Sequence, residues 1–398
     1  MSHVKLGDLF RVGSSKRVLQ SQWTTEGIPF YRGREITKLS ESGFVENDLF
    51  ITEELFKELS QRSGVPQAGD IMITAIGTIG NSYIVCPDDR FYFKDASVLW
   101  LARHSDVSSE YINHWLKSPL FLDQLDRGNG ATVDTLTIQK LQGVLVHVPS
   151  ASEQRRIVTL LDEAFADIAT AKANAEKNLQ NACDLFDQAI QDDLQNAVEK
   201  YGTITLGKVC TFENGDRGKN YPGKQHRVEK GIPFINAGHL TPNGLDFNEM
   251  DYISPERFAL LGNGKIKPND VLFCLRGSLG KFSCVGNLAQ GAIASSLVIL
   301  RPTQDLDLNY LLMYLSSKKC NEQIESLKGG AAQPNLGAKD LKQFVIPLPG
   351  TSIQIEMANR LSDLKEQIDS ITKIYIGKLT ALDDLKKSLL HQAFSGQL

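Results

Sequence analysis

The chain has 398 residues, a formal net charge of −4, 23% charged and 41% hydrophobic side chains. That balance excludes disorder, which pairs low hydrophobicity with high net charge, and the length predicts two or three domains. The longest apolar stretches, such as residues 292–300, fall well short of the roughly 20 residues a membrane span needs, and residues 1–8 lack the apolar run of a signal peptide, so a cytoplasmic protein with no membrane association is expected.

In chain order, the apolar runs 71–76 and 96–101, bounded by Gly, Asn and Asp, read as strands, and 109–118 reads as a helix. Beyond Pro149 no proline occurs for more than forty residues, and apolar residues recur in steps of three and four through Ile157, Leu161, Ala164, Ile168, Ala171, Ala175, Leu179, Ala182, Leu185 and Ala189. This is the seam of a long helix that packs on another helix. The order then repeats. A helix is predicted over 307–317, and after Pro349 a second seam runs through Met357, Leu361, Leu364, Ile368, Ile371, Tyr375, Leu379, Leu382, Leu385 and Leu389. The six cysteines, Cys86, Cys183, Cys210, Cys274, Cys284 and Cys320, form no Cys-x-x-Cys pair and read as reduced core residues.

The two halves are copies of one unit. Leu6-Gly7 matches Leu206-Gly207, Gly27-Ile28-Pro29-Phe30 matches Gly231-Ile232-Pro233-Phe234, and Gly77-Thr78-Ile79-Gly80 matches Gly277-Ser278-Leu279-Gly280, always in the same order. The polar residues that match are Asp70/Asp270, Ser97/Ser296, Tyr111/Tyr310, Ser118/Ser317 and Gln154/Gln354. The two aspartates stand just before apolar runs, in turn positions, and read as structural. The expected fold class is α+β: two tandem pseudo-symmetric repeats, each a β-rich α+β globule (1–151 and 201–351) followed by a long helix (152–200 and 352–398). The helices are expected to pair as an antiparallel coiled coil with the globules at opposite ends.

The usual enzyme signals are missing. Gly218-Lys219-Asn220-Tyr221-Pro222-Gly223-Lys224-Gln225 has P-loop spacing, but Gln225 replaces the magnesium-binding hydroxyl and no buried strand precedes it. No Cys/His set has zinc spacing, no GxSxG elbow occurs, and no glycine-rich dinucleotide turn follows a strand. No catalytic residue and no metal ligand is therefore assigned.

Basic and polar residues cluster around the shared frame. The first copy places Tyr31, Arg32, Arg34 and Lys38 after its GIPF strand, and the second places Arg217, Lys219, Lys224 and Arg227 before the strand and Asn236 and His239 after it. Arg and Asn side chains suit guanine and adenine edges in the major groove, although such a run also suits a solvated loop. The Gly-x-x-Gly loops add Thr78 and Asn81, and Arg276, Ser278 and Lys281; their glycines allow close backbone approach and offer N–H donors to an anion, or simply form a tight hairpin. A third pair of loops adds Asn129 and Thr132, and Gln333 and Asn335. The loops differ between copies while the frame is shared, a pattern that suits two readers of different short sequences.

Each globule closes with a Gly-rich loop, a strand that ends at Pro149 or at Pro347-Leu348-Pro349, and a helix entered through Glu153-Gln154-Arg155-Arg156-Ile157 or Gln354-Ile355-Glu356-Met357. In this the whole chain resembles the specificity subunit of Type I restriction–modification enzymes. The usual Pro-Leu-Pro-Pro of that family is incomplete in both copies. The resemblance implies a non-catalytic subunit whose two target recognition domains read the halves of an interrupted double-stranded DNA site. It implies helices that set the gap and dock two methyltransferase subunits, with restriction subunits as further partners. The chain itself would carry no cofactor; S-adenosylmethionine would sit on the methyltransferase, and ATP and Mg on a restriction partner. The competing reading is a protein scaffold with two partner-binding globules. Charge by segment runs −3, −5, +4 and 0 from the first globule to the second helix. So weak a positive charge implies little sequence-independent grip on DNA by the chain alone.

Overall fold

The computed structural model describes residues 3–125, 135–329 and 335–398. Two compact units emerge, residues 1–175 with 376–398, and residues 176–375.

In unit 1, strands Phe10–Gly13, Val98–Arg103, Ile71–Thr74 and Ser82–Ile84 form, in that order, an antiparallel sheet. Side chains alternate across a strand, so Ile71, Ile73, Leu99 and Leu101 enter one core with Tyr111, Trp115 and Leu141, while Met72, Val98 and Trp100 enter another with Ile36, Phe91 and Phe93. A sheet buried on both faces needs uninterrupted apolar runs rather than alternating ones, which is what 71–76 supplies. A smaller sheet joins Phe50–Ile51, Ile28–Tyr31 and Tyr92–Phe93, the last pair parallel. Unit 2 repeats this plan. Strands Cys210–Asn214, Leu297–Pro302, Val271–Cys274 and Phe282–Cys284 make the central sheet, and Ile232–Ile235 again pairs antiparallel with Tyr252–Ile253 and parallel with Ala292–Ile293. The shared glycine before each GIPF strand has a steric cause: a Cβ on Gly27 would lie 2.5 Å from the Ile51 carbonyl oxygen, and one on Gly231 2.3 Å from that of Ile253.

The predicted helices are Ser109–Leu116 and Leu308–Ser316, N-capped by the Ser108 and Asp307 side chains. The long helices are Ala151–Tyr201 and Thr351–Ser395. The matched glutamines fasten each long helix to its globule. The Gln154 side chain accepts the Ser108 N–H at 2.9 Å and donates to the Pro149 carbonyl at 2.9 Å. Gln354 is fully buried, accepts the Asp307 N–H at 2.8 Å and donates to the carbonyls of Asp305 and Pro349 at 2.9 and 2.8 Å. The matched tyrosines hold the strand that leads into each helix: the Tyr111 hydroxyl donates to the His147 carbonyl at 2.9 Å, and that of Tyr310 to the Pro347 carbonyl at 3.0 Å. Gln354→Ala leaves three backbone groups without their buried partner and is expected to lower the denaturation free energy of unit 2 by about 2 kcal/mol, read from urea unfolding; an unchanged midpoint would refute the fastening role.

Within each unit the two helices run antiparallel. In unit 1, Arg156 donates to the Leu398 carbonyl at 2.9 Å, Lys172 pairs with Asp383, and Ile157 and Leu161 pack in one core with Leu390, Ala393 and Phe394. In unit 2, Arg360 pairs with Asp193, the Lys365 ammonium lies 5.5 Å from the Phe186 ring, and Ile190 and Leu194 share a core with Leu361. Ile168 and Ile368 are buried, and Leu179, Met357, Leu364, Leu379 and Leu382 are half-buried. Three seam positions need correction. Leu185 is 60%, Leu385 47% and Ile371 40% exposed; Ala189 and Leu389 pack inward as expected, and the further inward places nearby belong to Phe186 and Ile190 and to Leu390. An α-helix drifts by about 20° per heptad relative to a strict 3.5-residue repeat, so a seam extrapolated at that step slips by one residue toward the helix end. The cysteines also divide: Cys210, Cys274 and Cys320 are buried as expected, whereas Cys86 and Cys183 are exposed.

Candidate nucleic-acid interface

Strand register decides which loops meet. In unit 1, Gly13 pairs with Trp100 and Thr74 with Val98, so the chain leaves strands 10–13 and 71–74 at the sheet end where it enters strand 98–103. Loops 14–17, 75–81 and 94–97 therefore gather at one end. In unit 2, Asn214 pairs with Val298 and Cys274 with Leu297, which gathers 215–220, 275–281 and 294–296 in the same way. The third loop joins them. The Leu136 N–H donates to the Ala75 carbonyl at 2.8 Å and that of Leu336 to the Leu275 carbonyl at 2.9 Å, and Arg276 and Asn335 form a bridge.

Each Gly-x-x-Gly segment is a hairpin loop. Gly77 and Gly80 have φ of 78° and 96°, and Gly277 and Gly280 have 80° and 81°, a region that a Cβ disfavours. The expected N–H donation to an anion is narrower than the spacing implies. Gly80 and Gly280 direct their amides to the carbonyls of Thr74 and Cys274 at 3.2 and 3.1 Å, closing the turn. The exposed tips, Thr78 in unit 1 and Arg276 and Ser278 in unit 2, face solvent.

In unit 1 the helix Gly33–Ser42 begins beside this loop, since a Cβ on Gly33 would lie 4.0 Å from the Ile76 carbonyl oxygen. Asn81 ties the two together by donating to the Thr37 hydroxyl at 3.1 Å. Arg32 stands at the N-cap position, where Glu35 accepts its N–H at 2.8 Å, and its guanidinium donates to Glu35 at 3.0 Å and Asp48 at 3.1 Å; Arg34 pairs with the same two carboxylates. Burial alone would raise the Glu35 carboxyl, but the hydrogen bonds from Arg32 and Arg34 outweigh it and hold it below its ordinary value. Arg34 holds Asp48 low, and both carboxylates raise Arg34 in turn. Lys38 is exposed, and Tyr31 stacks on Phe91 at 4.6 Å, its phenol raised by burial and by Asp89.

In unit 2 the corresponding turn, Ala237–His239, is tied to its hairpin by Lys281, whose ammonium donates to the Ala237 carbonyl at 3.0 Å. Residues 81 and 281 thus brace the same junction with different side chains. Asn236 caps that turn by accepting the Gly238 N–H at 2.7 Å. Two candidates turn inward. The His239 ring is buried; its Nδ1 accepts the Asn236 N–H at 3.1 Å and its Nε2 lies 3.1 Å from the Glu249 carbonyl. The Arg227 guanidinium lies 4.0 Å from the Phe234 ring centre and 3.8 Å from Asp251. His239 holds the turn, and Arg227 is taken up by the Phe234 ring and Asp251. Arg217, Lys219 and Lys224 are exposed, and Arg217 and Lys219 help line an open cavity of about 550 Å³ with Asp216, Leu260 and Asn263. The first glycine of the P-loop-like run, Gly218, is not free for a phosphate: Asp216 takes its N–H at 2.7 Å, and that of Gly262 at 2.8 Å, which keeps the Asp216 carboxyl low. Asn129, Thr132 and Gln333 lie outside the described residues.

One residue at this sheet end has no place in the sequence reading. Arg17 occupies the position of Arg217, 200 residues earlier, and a side-by-side reading of the two copies at that offset would have found it. Among the described residues no cluster of three or more His, Cys, Asp or Glu side chains could hold a metal ion, and no helix is long and apolar enough to cross a membrane.

A duplicated scaffold whose divergent polar loops converge at one end of each sheet meets its counterpart in known sequences. A family model described as Type I restriction modification DNA specificity domain matches residues 1–179 and again 198–377. The chain belongs to that family. Among its relatives in the specificity family, the EcoBI specificity subunit of Escherichia coli is 25% identical over 365 residues, covering 81% of this chain and 76% of its own length. A putative type I restriction enzyme specificity subunit of Haemophilus influenzae is 32% identical over 162 residues, 40% of this chain, and the match spans only 39% of that relative. The HsdS subunit from Thermoanaerobacter tengcongensis superimposes with a TM-score of 0.60 at 18% identity, covering 100% of this chain and 97% of that one. A chain from a structure on complex assembly and conformational transition of the type I system gives a TM-score of 0.77, also at 18% identity, with 100% and 98% covered. The shared fold is thus the specificity-family one, two α+β repeats with two long helices.

Proposed function

We propose that this chain is the DNA-recognition subunit of a type I restriction–modification complex, with each unit reading one half of an interrupted double-stranded site. The observation that carries this reading is the matched sheet end with unmatched loop chemistry. Position 76 is isoleucine and 276 arginine, both exposed on hairpins of the same geometry. One scaffold presenting two different sets of groove-reading side chains is what a split, asymmetric site requires. The long helices pair as an antiparallel coiled coil, fix the unread gap and dock two methyltransferase subunits. Exposed apolar residues on them, Ile371 and Ile374 in unit 2 and Ile376 and Leu385 in unit 1, support a docking role. S-adenosylmethionine belongs to the methyltransferase, and ATP and Mg to a restriction subunit where one joins. The complex works in the cytoplasm, and the chain alone, with its net −4, binds DNA weakly.

Methylome sequencing of a host expressing this chain with its methyltransferase partner tests the reading; the expected product is an interrupted adenine-methylated motif, and its absence would refute the proposal. Arg276→Ala is expected to relax sequence preference in one half of that motif only, with about 1–3 kcal/mol of discrimination lost there. Equal loss at every sequence would instead assign Arg276 to the phosphate backbone.

A further inference from the structure

We propose that Arg17 and Arg217 are matched phosphate anchors, one in each recognition unit, gripping the DNA backbone without reading its sequence. This rests on the recognition function proposed above and adds a division of labour within the interface.

The two residues are equivalent by fold as well as by offset. Each follows the first strand of its central sheet, Phe10–Gly13 or Cys210–Asn214, on a loop at the end of the sheet where the hairpin tips gather. Each tethers its guanidinium to the same turn: Arg17 Nε donates to an Asp95 carboxylate oxygen at 3.2 Å, and Arg217 Nη2 to the Ser295 carbonyl at 3.1 Å. That turn runs directly into residues 97 and 296, whose carbonyls accept the amides of Ala75 and Leu275 at 3.0 and 2.8 Å, where the hairpin loops begin. Both side chains remain open to solvent, Arg17 by 74%.

Chemistry separates these arginines from the other basic groups nearby. A residue that reads bases must differ between units that read different sequences, as the exposed position 76/276 does. A residue that holds phosphate meets the same ligand in both half-sites, because phosphate contacts position the protein and carry no sequence information. A matched, exposed, lightly tethered guanidinium fits the second role, and its planar fork suits two phosphate oxygens. The tethers also predict an asymmetry. Asp95 already neutralises Arg17, whereas Ser295 offers Arg217 only a carbonyl, so Arg217 contributes the stronger grip.

The test uses the assembled complex with methyltransferase subunits and S-adenosylmethionine, titrated with a duplex carrying its methylated motif and with a scrambled duplex over a range of salt. Arg217→Ala is expected to weaken both duplexes by the same factor and to reduce the slope of log K against log salt by about 0.9, one phosphate contact. Arg17→Ala does the same to a smaller extent, Arg217→Lys retains the slope, and none of the variants alters the motif found by methylome sequencing. Loss confined to the motif duplex, a changed motif, or an unchanged affinity and slope each overturn the proposal. A wild-type complex that methylates no interrupted motif would overturn the recognition reading itself, an outcome distinct from any behaviour of the arginine variants.

Discussion

Replacing Arg301 by methionine is expected to destabilise unit 2 by about 3 kcal/mol. Asp270 is completely buried, and Arg301 reaches it with two hydrogen bonds of 2.7 Å, from Nε and Nη2. Asp270 also accepts the Lys267 N–H at 2.7 Å, which closes the turn into the central strand Val271–Cys274. Removing the guanidinium leaves a buried carboxylate that keeps the Lys267 N–H but loses its countercharge, which costs far more than the intact pair contributes. The double variant Asp270→Leu, Arg301→Met should therefore recover a large part of the loss, and a denaturant-melting cycle over the four proteins measures it. A midpoint for Arg301→Met equal to wild type would dispose of the argument. Unit 1 holds the same aspartate differently. Asp70 takes the Trp100 indole N–H at 2.8 Å and the backbone N–H groups of Gln67 and Arg103 at 2.8 and 2.9 Å. The duplicated position keeps its turn-closing carboxylate while each copy has found its own donors.

That contrast shows what kind of information the sequence carries openly. Features that any copy of the fold must satisfy were legible as matches: the apolar runs of the central strands, the glycine pressed against a neighbouring carbonyl before each GIPF strand, the glutamine that fastens globule to helix, and the tyrosine that holds the strand leading into it. Their partners were not legible, because Asp270 and Arg301 are 31 residues apart and Gln354 and Asp307 are 47 apart. The interface was legible only as a neighbourhood. Composition marks Arg227 and His239 as readily as Arg276, yet the first two are taken up by Phe234 and by the Asn236 turn. Likewise nothing in the order Arg32-Gly33-Arg34-Glu35 announces that Glu35 is 2% exposed or that Asp48 returns from a distant loop to share both arginines. Side-chain direction depends on strand register and helix phase, and errors there are of one residue: the seam at Leu185 belongs to Phe186.

Lengthening both long helices by seven residues, after Ala175 in the first and after Tyr375 in the second, is expected to widen the unread gap of the methylated motif by up to about three base pairs. The insertion points are the boundaries between the two compact units. Seven residues add about 10.5 Å of rise, against about 3.4 Å per base pair of B-DNA. Seven is also close to two full turns, so the apolar seam returns almost to its starting face, with a residual drift of about 20°. Both helices must change together. Within each unit the first helix is held to the second by buried contacts and by pairs such as Lys172–Asp383 and Arg360–Asp193, and lengthening one alone shifts those partners out of register. The double insertion should leave each half of the motif intact, since no residue at either sheet end moves within its own unit. The single insertions should instead lower stability and methylation together. An unchanged gap after the double insertion would show that the distance between half-sites is set elsewhere than in the helices.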